Sequence, residues 1–381
     1  MTSDEWFVSC LGNRMKLEVE PFNRYAYHDP RAIVAALLQG AIQKTIEADD
    51  PLYERLPPPV RYRATGAIDA WKGVMQEGHK TGDADFLDGM RRFPLAVLYK
   101  EFPRFLKGWA HSLPSGLSQE SAQLAHRSLV WQIYFASDGA MYEPTAALHR
   151  LLDSAYIADD VPIGMIELPA AAMCIIPNPE WQGYKQGIRA IALFHRHGRD
   201  TAVPDERLSL VSWQEFGKDH IRIKFVDYPL ADRNKTIQQI LEQDVSVSEP
   251  NAGLEADREH WRLVSDYAIK MLLYLKIPDA QVVADRAYSN APRDFNGLGQ
   301  RKRKERLAQI EHLYDRHIVG PAVLDWEHGA HAEADSGAPH HEKRGHWRRP
   351  HFKMQPHGPN SSLRKVIFVG PVIVRPDRLG L

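Results

Sequence analysis

The sequence predicts an α+β fold, with an α-helical N-terminal region followed by an antiparallel sheet, a packed helix and a C-terminal strand. Three observations predict it. Apolar residues recur at helical spacing up to about residue 155; between residues 164 and 226 they gather into short β-branched runs separated by turn residues; and residues 257–276 return to the helical period with one strongly apolar face. At 381 residues the chain is long enough for two full cores. With 44% hydrophobic and 25% charged residues it has the composition of an ordinary globular protein, which excludes a wholly disordered chain.

The first 30 residues are mixed and aromatic, without a pattern that places an element. Residues 31–48 carry Ile33, Val34, Leu37, Leu38, Ile42 and Ile46 at helical spacing, with Asp29-Pro30 ahead as a start signal. Pro57-Pro58-Pro59 reads either as a polyproline ligand or as a stiff link between helices, and we take it as the link. Helical patterns resume at 63–76, at 86–106 with a boundary near Phe93-Pro94, at 118–136 and at 144–155. Residues 1–155 therefore read as an α-helical domain.

The period then changes. Runs at 164–176, 188–195, 208–213 and 221–226 are β-rich and punctuated by Asn178-Pro179, Gly198 and Gly217-Lys218-Asp219, which describes an antiparallel meander. Ile221, Ile223 and Phe225 alternate with Arg222 and Lys224, putting one face on a core and one in solvent. His195-Arg196-His197, just before Gly198, reads as an exposed hairpin turn. In the helix at 257–276, Trp261, Val264, Ala268, Met271, Leu272 and Leu275 share one side, and Trp261 and Met271 are core residues rather than cofactor contacts. The unit spans residues 160–320. Near its end lies a secondary basic cluster, Arg301, Lys302, Arg303 and Lys304, readable as a phosphate-binding arm or as the solvated start of a helix over 307–318. Residues 325–345 have the composition of a flexible surface linker.

The last segment, residues 346–381, is a basic, aromatic loop delivered by a strand expected to pack on the middle region. Lys343, Arg344, Arg348, Arg349, Lys353, Arg364 and Lys365 stand against the single acid Glu342, in a chain whose net charge is −1. So local an imbalance implies an anionic partner met by a patch rather than by the whole surface. His346, Trp347, His351, Phe352 and His357 are flat groups that can stack on bases while guanidinium groups hold phosphates. The expected nucleic-acid contacts are Lys343, Arg344, His346, Trp347, Arg348, Arg349, His351 and Lys353, with RNA or the ribosome as partner. The run VIFVGPVIV that follows is a strand interrupted by Gly370-Pro371.

Half of the 18 histidines lie between His312 and His357, which raises metal and catalysis. The neighbouring cations oppose a dication, and neither a Cys pair nor an HExxH helix is present, so no metal and no cofactor is expected. His346 and His351 are the candidate catalytic pair of a metal-independent ribonuclease, one as base and one as acid, with Arg348 or Arg349 on the phosphate. Binding alone demands less geometry and is the preferred reading. A DNA-binding regulator of plasmid or phage genes is a further class. There is no P-loop, no G-x-G-x-x-G after a strand and no G-x-S-x-G elbow. The two cysteines, Cys10 and Cys174, suit a reducing cytosol; no secretory signal opens the chain, and no apolar run approaches bilayer length, so a cytoplasmic location without a membrane partner is expected. Oligomeric state is open.

Arg344-Gly345-His346-Trp347, the link bearing Phe352 and Gly358, and the basic then apolar strand with Phe368 shortly before Pro371 together resemble the C-terminal signature of the plasmid- and phage-borne type V-A anti-CRISPR family. The resemblance covers roughly the last 35 residues. Where the family often carries Trp in the last strand, Phe368 or Val369 stands here. What the resemblance implies is an inhibitor that suppresses synthesis of a target protein, recognising its nascent polypeptide during translation and causing loss of its message.

Overall fold

The computed structural model describes residues 30–80, 119–197, 206–216, 220–242, 254–285, 299, 301–302, 305, 315–322, 346–370 and 372–374. The expected helix at 86–106, the linker at 325–345, most of the helix at 307–318 and the first 29 residues lie outside them.

Among the described residues, four N-terminal helices form one layer: α1 (Pro30–Ala48), α2 (Pro58–Ala64), α3 (Ala67–Lys80) and α4 (Gln119–Ala136). The triple proline opens α2: Pro57 is its cap, Pro58 and Pro59 fill the first turn, where a missing N–H costs nothing, and all three are buried. Polar groups tie the layer together. The Trp71 indole N–H donates to Thr45 Oγ1 at 3.0 Å, and Thr45 lies 2.7 Å from Ser128 Oγ, so α1, α3 and α4 meet at one buried point.

The layer packs on a seven-stranded sheet built from β1 (Ala140–Pro144), β3 (Ala172–Ile175), β4 (Ile188–His197), β5 (Glu206–Phe216), β6 (His220–Pro229), β7 (Val282–Asp285) and β8 (Arg316–Val319), in the order β6-β5-β4-β3-β1-β8-β7. The short β2 (Tyr156–Ile157) lies elsewhere. β3 to β6 are the expected antiparallel meander. The sheet as a whole is mixed, because β1 runs parallel to both of its neighbours, β3 and β8. β1 falls inside the region expected to be purely helical, and Ile318 belongs to β8 rather than to a helix.

Side chains alternate between two cores, as the twofold strand period requires. Ala172, Cys174, Ala192, Phe194, Val211, Trp213 and Phe225 face the N-terminal helices. Met173, Ile175, Ile191, Leu193, Leu208, Leu210, Val226 and Tyr228 face the opposite core. A bulge between Ile188 and Ala190 switches the parity at the start of β4, which is why Ile188 joins the second core and Ala190 the first. The second core is covered by α5 (Ala146–Ser154), by α7 (Ile237–Leu241) and above all by α8 (Leu254–Lys276), whose Trp261 and Met271 are buried as expected; the single turn α6 (Gln182–Lys185) precedes β4. Lys224 is not on a solvated face: it meets the buried Asp257 of α8 at 2.5 Å. Nor is His195-Arg196-His197 an exposed turn, since all three belong to β4, Arg196 is buried over the Phe194 ring and His195 pairs with Glu206 at 2.8 Å.

The C-terminal strand does not complete the large sheet. β11 (Leu363–Val369) pairs antiparallel with β10 (His351–His357), and β10 pairs parallel with β2, giving a separate three-stranded sheet. That sheet docks on the second core through Phe352 and Val366, with Met354 and Phe368 packed at its margin. The physical reason lies in its pattern: Phe352 and Met354 are the apolar face of a strand whose other face is polar, so it covers a core rather than entering a sheet buried on both sides.

Candidate nucleic-acid interface

The segment expected to be a loop is a two-stranded ribbon. β9 (His346–Arg348) pairs antiparallel with β12 (Val372–Val374), Trp347 opposite Ile373. The side chains of His346, Trp347 and Arg348 lie outside the described residues, as do Lys343, Arg344, Arg303 and Lys304. Arg349 is exposed and Pro350 buried at the turn into β10. Main-chain bonds then hold β10 on β2, with Tyr156 N–H donating to Pro350 C=O at 3.2 Å and Ala158 N–H to Phe352 C=O at 3.0 Å.

These bonds place His351 directly opposite Tyr156. The two rings stack with centroids 5.1 Å apart and planes 11° from parallel. His351 is 1% exposed, whereas Tyr156 remains 45% exposed. The imidazole Nδ1 lies 3.2 Å from Arg349 C=O, a contact that requires Nδ1–H, and Nε2 is buried without a partner. His351 is therefore a backing for the tyrosine ring and is not presented to a phosphodiester in solvent. Tyr156 is the residue that the sequence reading missed. It lies 195 positions before His351 (351 − 156 = 195), and nothing local marks it.

Strand alternation carries the same face outward along the hairpin. Lys353, Gln355 and His357 follow His351 with the period of two, and across from them stand Ile367, Lys365 and Leu363. Lys353 is half-buried, while Gln355, Lys365 and the neighbouring Arg364 are exposed. Arg349 and Lys353 stand two positions to either side of His351, beside the exposed ring, and Lys365, opposite Gln355, lies four residues further along the same face. Such an arrangement can stack a base on Tyr156 and hold the adjoining phosphates. Of the secondary cluster, Arg301 and Lys302 are exposed, and Arg301 meets Glu305 at 3.2 Å, so part of its charge is neutralised within its own helical turn.

A second concavity, of about 380 Å³, opens where the helical layer meets the ends of β1, β7 and β8. Val60, Phe135 and Met141 contribute its apolar wall, and Asp138, Asp285 and Asp315 its carboxylates. Arg63 and Arg316 also line it, and Arg316 is engaged by Glu143 at 2.7 Å and Asp285 at 3.2 Å. Among the described residues, no helix is long and apolar enough to cross a membrane.

Comparison with known proteins adds three findings. Residues 142–376 match the AcrVA2-like family, described as the anti-CRISPR type V subtype A2 family. No curated protein sequence matches the chain. Among solved structures, the chain is similar to one described as the crystal structure of AcrVA2, at 11% identity and a TM-score of 0.43, with 81% of this chain and 97% of that chain covered.

Proposed function

This chain belongs to the anti-CRISPR type V subtype A2 family, its function is anti-CRISPR-like, and from that premise we propose that it lowers the level of a target protein during translation. In this reading the folded body recognises the nascent polypeptide of the target, the C-terminal hairpin engages the RNA or the ribosome, and the target message is lost. The observation that supports the RNA contact is the exposed Tyr156 ring, backed by His351, with Arg349 and Lys353 to either side of His351 in the chain and Lys365 further along the same face. Flat π faces beside mobile cations bind single-stranded nucleic acid with little sequence preference, which suits a protein whose specificity comes from a peptide. The enclosure of His351 beneath Tyr156 favours binding over RNA cleavage by the protein itself, and in this reading message loss falls to nucleases of the host.

The test uses Tyr156→Ala and the double change Lys353→Ala with Lys365→Ala. Tyr156→Ala should weaken RNA or ribosome association by about 1–3 kcal/mol, the worth of one stacked base, while the loss of its stack on His351 lowers the melting temperature by only a few degrees. Both variants should lengthen the half-life of the target message. Wild-type message loss in both variants would end the assignment of this face.

A further inference from the structure

We propose that β7 and the adjoining cavity form a docking surface for an extended peptide that carries a lysine or arginine. The proposal deepens the peptide-recognition part of the reading above and rests on it only for where the peptide comes from.

Among the described residues β7 is one edge of the seven-stranded sheet and β6 is the other, and the two edges differ in kind. β6 carries Arg222, Lys224, Asp227 and Pro229, the charges and proline that discourage a further strand from adding. β7 reads Val282-Val283-Ala284-Asp285, and its three apolar residues are exposed, Val283 to 62%. The register shows which backbone groups are open. Gly320 N–H donates to Gln281 C=O at 2.8 Å, and Gln281 has the same parity as Val283 and Asp285. In an antiparallel pair, successive residues turn their N–H and C=O groups alternately toward and away from the partner. Val283 and Asp285 therefore face β8, while Val282 and Ala284 direct theirs outward, a template for one added strand.

The cavity begins where this template ends, because Ala284 and Asp285 line both. Its chemistry selects the anchor. Phe135, Met141 and Val60 accept an aliphatic stem; Asp138, at its mouth, is exposed and makes no ion pair or side-chain hydrogen bond with the described residues; and Arg316 is already held by Glu143 and Asp285. A long side chain with an apolar stem and a cationic head satisfies both parts, whereas an acidic anchor meets like charge.

The experiment is a selection of random ten-residue displayed peptides on the full chain, followed by resynthesis of the enriched sequences. Enrichment of β-prone peptides bearing Lys or Arg is expected. Their affinity should fall at least tenfold for Ala284→Pro, which deletes an outward N–H and leaves the β7–β8 ladder intact, and likewise for Val283→Lys, which alters only an exposed side chain. No enrichment over bare support, or equal binding to both variants, overturns the proposal. So does a dimer that Ala284→Pro converts to a monomer, since the edge would then belong to a second copy. Message loss that survives both variants, while selected peptides still require the edge, would leave the surface standing and remove its role in nascent-chain recognition; peptide-independent edges with intact message loss would do the reverse.

Discussion

His260 on α8 is buried against Trp261, its Nε2 has no partner, and burial, with Lys224 and Arg222 nearby, drives its pKa from 6.5 down to about 4 despite the opposing Asp257. The folded state therefore holds the imidazole neutral where the unfolded chain would protonate it. Below pH 6.5 the unfolded state binds the extra proton first, so the stability present at neutral pH is lost progressively as the pH falls toward about 4. The loss from this one group is bounded at about 3 kcal/mol, from roughly 1.4 kcal/mol per unit. Urea midpoints between pH 7 and 4 should therefore fall less steeply for His260→Leu than for the parent chain, and parallel curves would show that the ring is hydrated in solution.

The β10–β11 hairpin is the element on which both the C-terminal face and part of the second core depend. Phe352 is fully buried, and Phe352→Ala should cost about 3–5 kcal/mol, read as a lowered denaturation midpoint. Ending the chain after Ser362 removes β11, leaves β10 with an open edge and uncovers Phe352, so solubility and activity should be lost together. A truncated protein that stays soluble and active would show that the hairpin is dispensable to the core. Elements of this kind also mark how far the sequence could be read. α8 and the β4–β5–β6 meander were legible because each advertises its own period over ten or more residues. β1 was not, being five residues long and paired only with distant partners; all but Pro144 falls in the gap between the expected helices at 118–136 and 144–155, where so short a run displays no period. The basic C-terminal patch was legible as composition, but its geometry was not: the placement of His351 beneath Tyr156 depends on pairing with a two-residue strand that no local signal announces.

At the scale of the whole molecule, the helical layer is fastened to the sheet by a buried charge network. Arg61 of α2 meets Glu215 of β5 at 2.5 Å and Asp49 at 3.9 Å, Arg127 of α4 meets Asp49 at 2.9 Å, and Tyr62 and Trp213 donate to the same two carboxylates. Burial still pushes Asp49 above its ordinary pKa, so the two guanidinium groups only partly offset its loss of water. Arg61→Met leaves Asp49 and Glu215 facing each other and should destabilise the protein by about 3–5 kcal/mol, measurable as a drop in the urea midpoint; a change under 1 kcal/mol would mean that water reaches the network. The order in which the chain is made adds a constraint of another kind. β2 waits for a strand 195 residues further on (352 − 157 = 195), and at about 5–20 residues per second that partner is about 10–40 s away. Until it arrives, the second core stays open on the side that Phe352 will close, so over that interval the growing chain carries exposed apolar surface of its own.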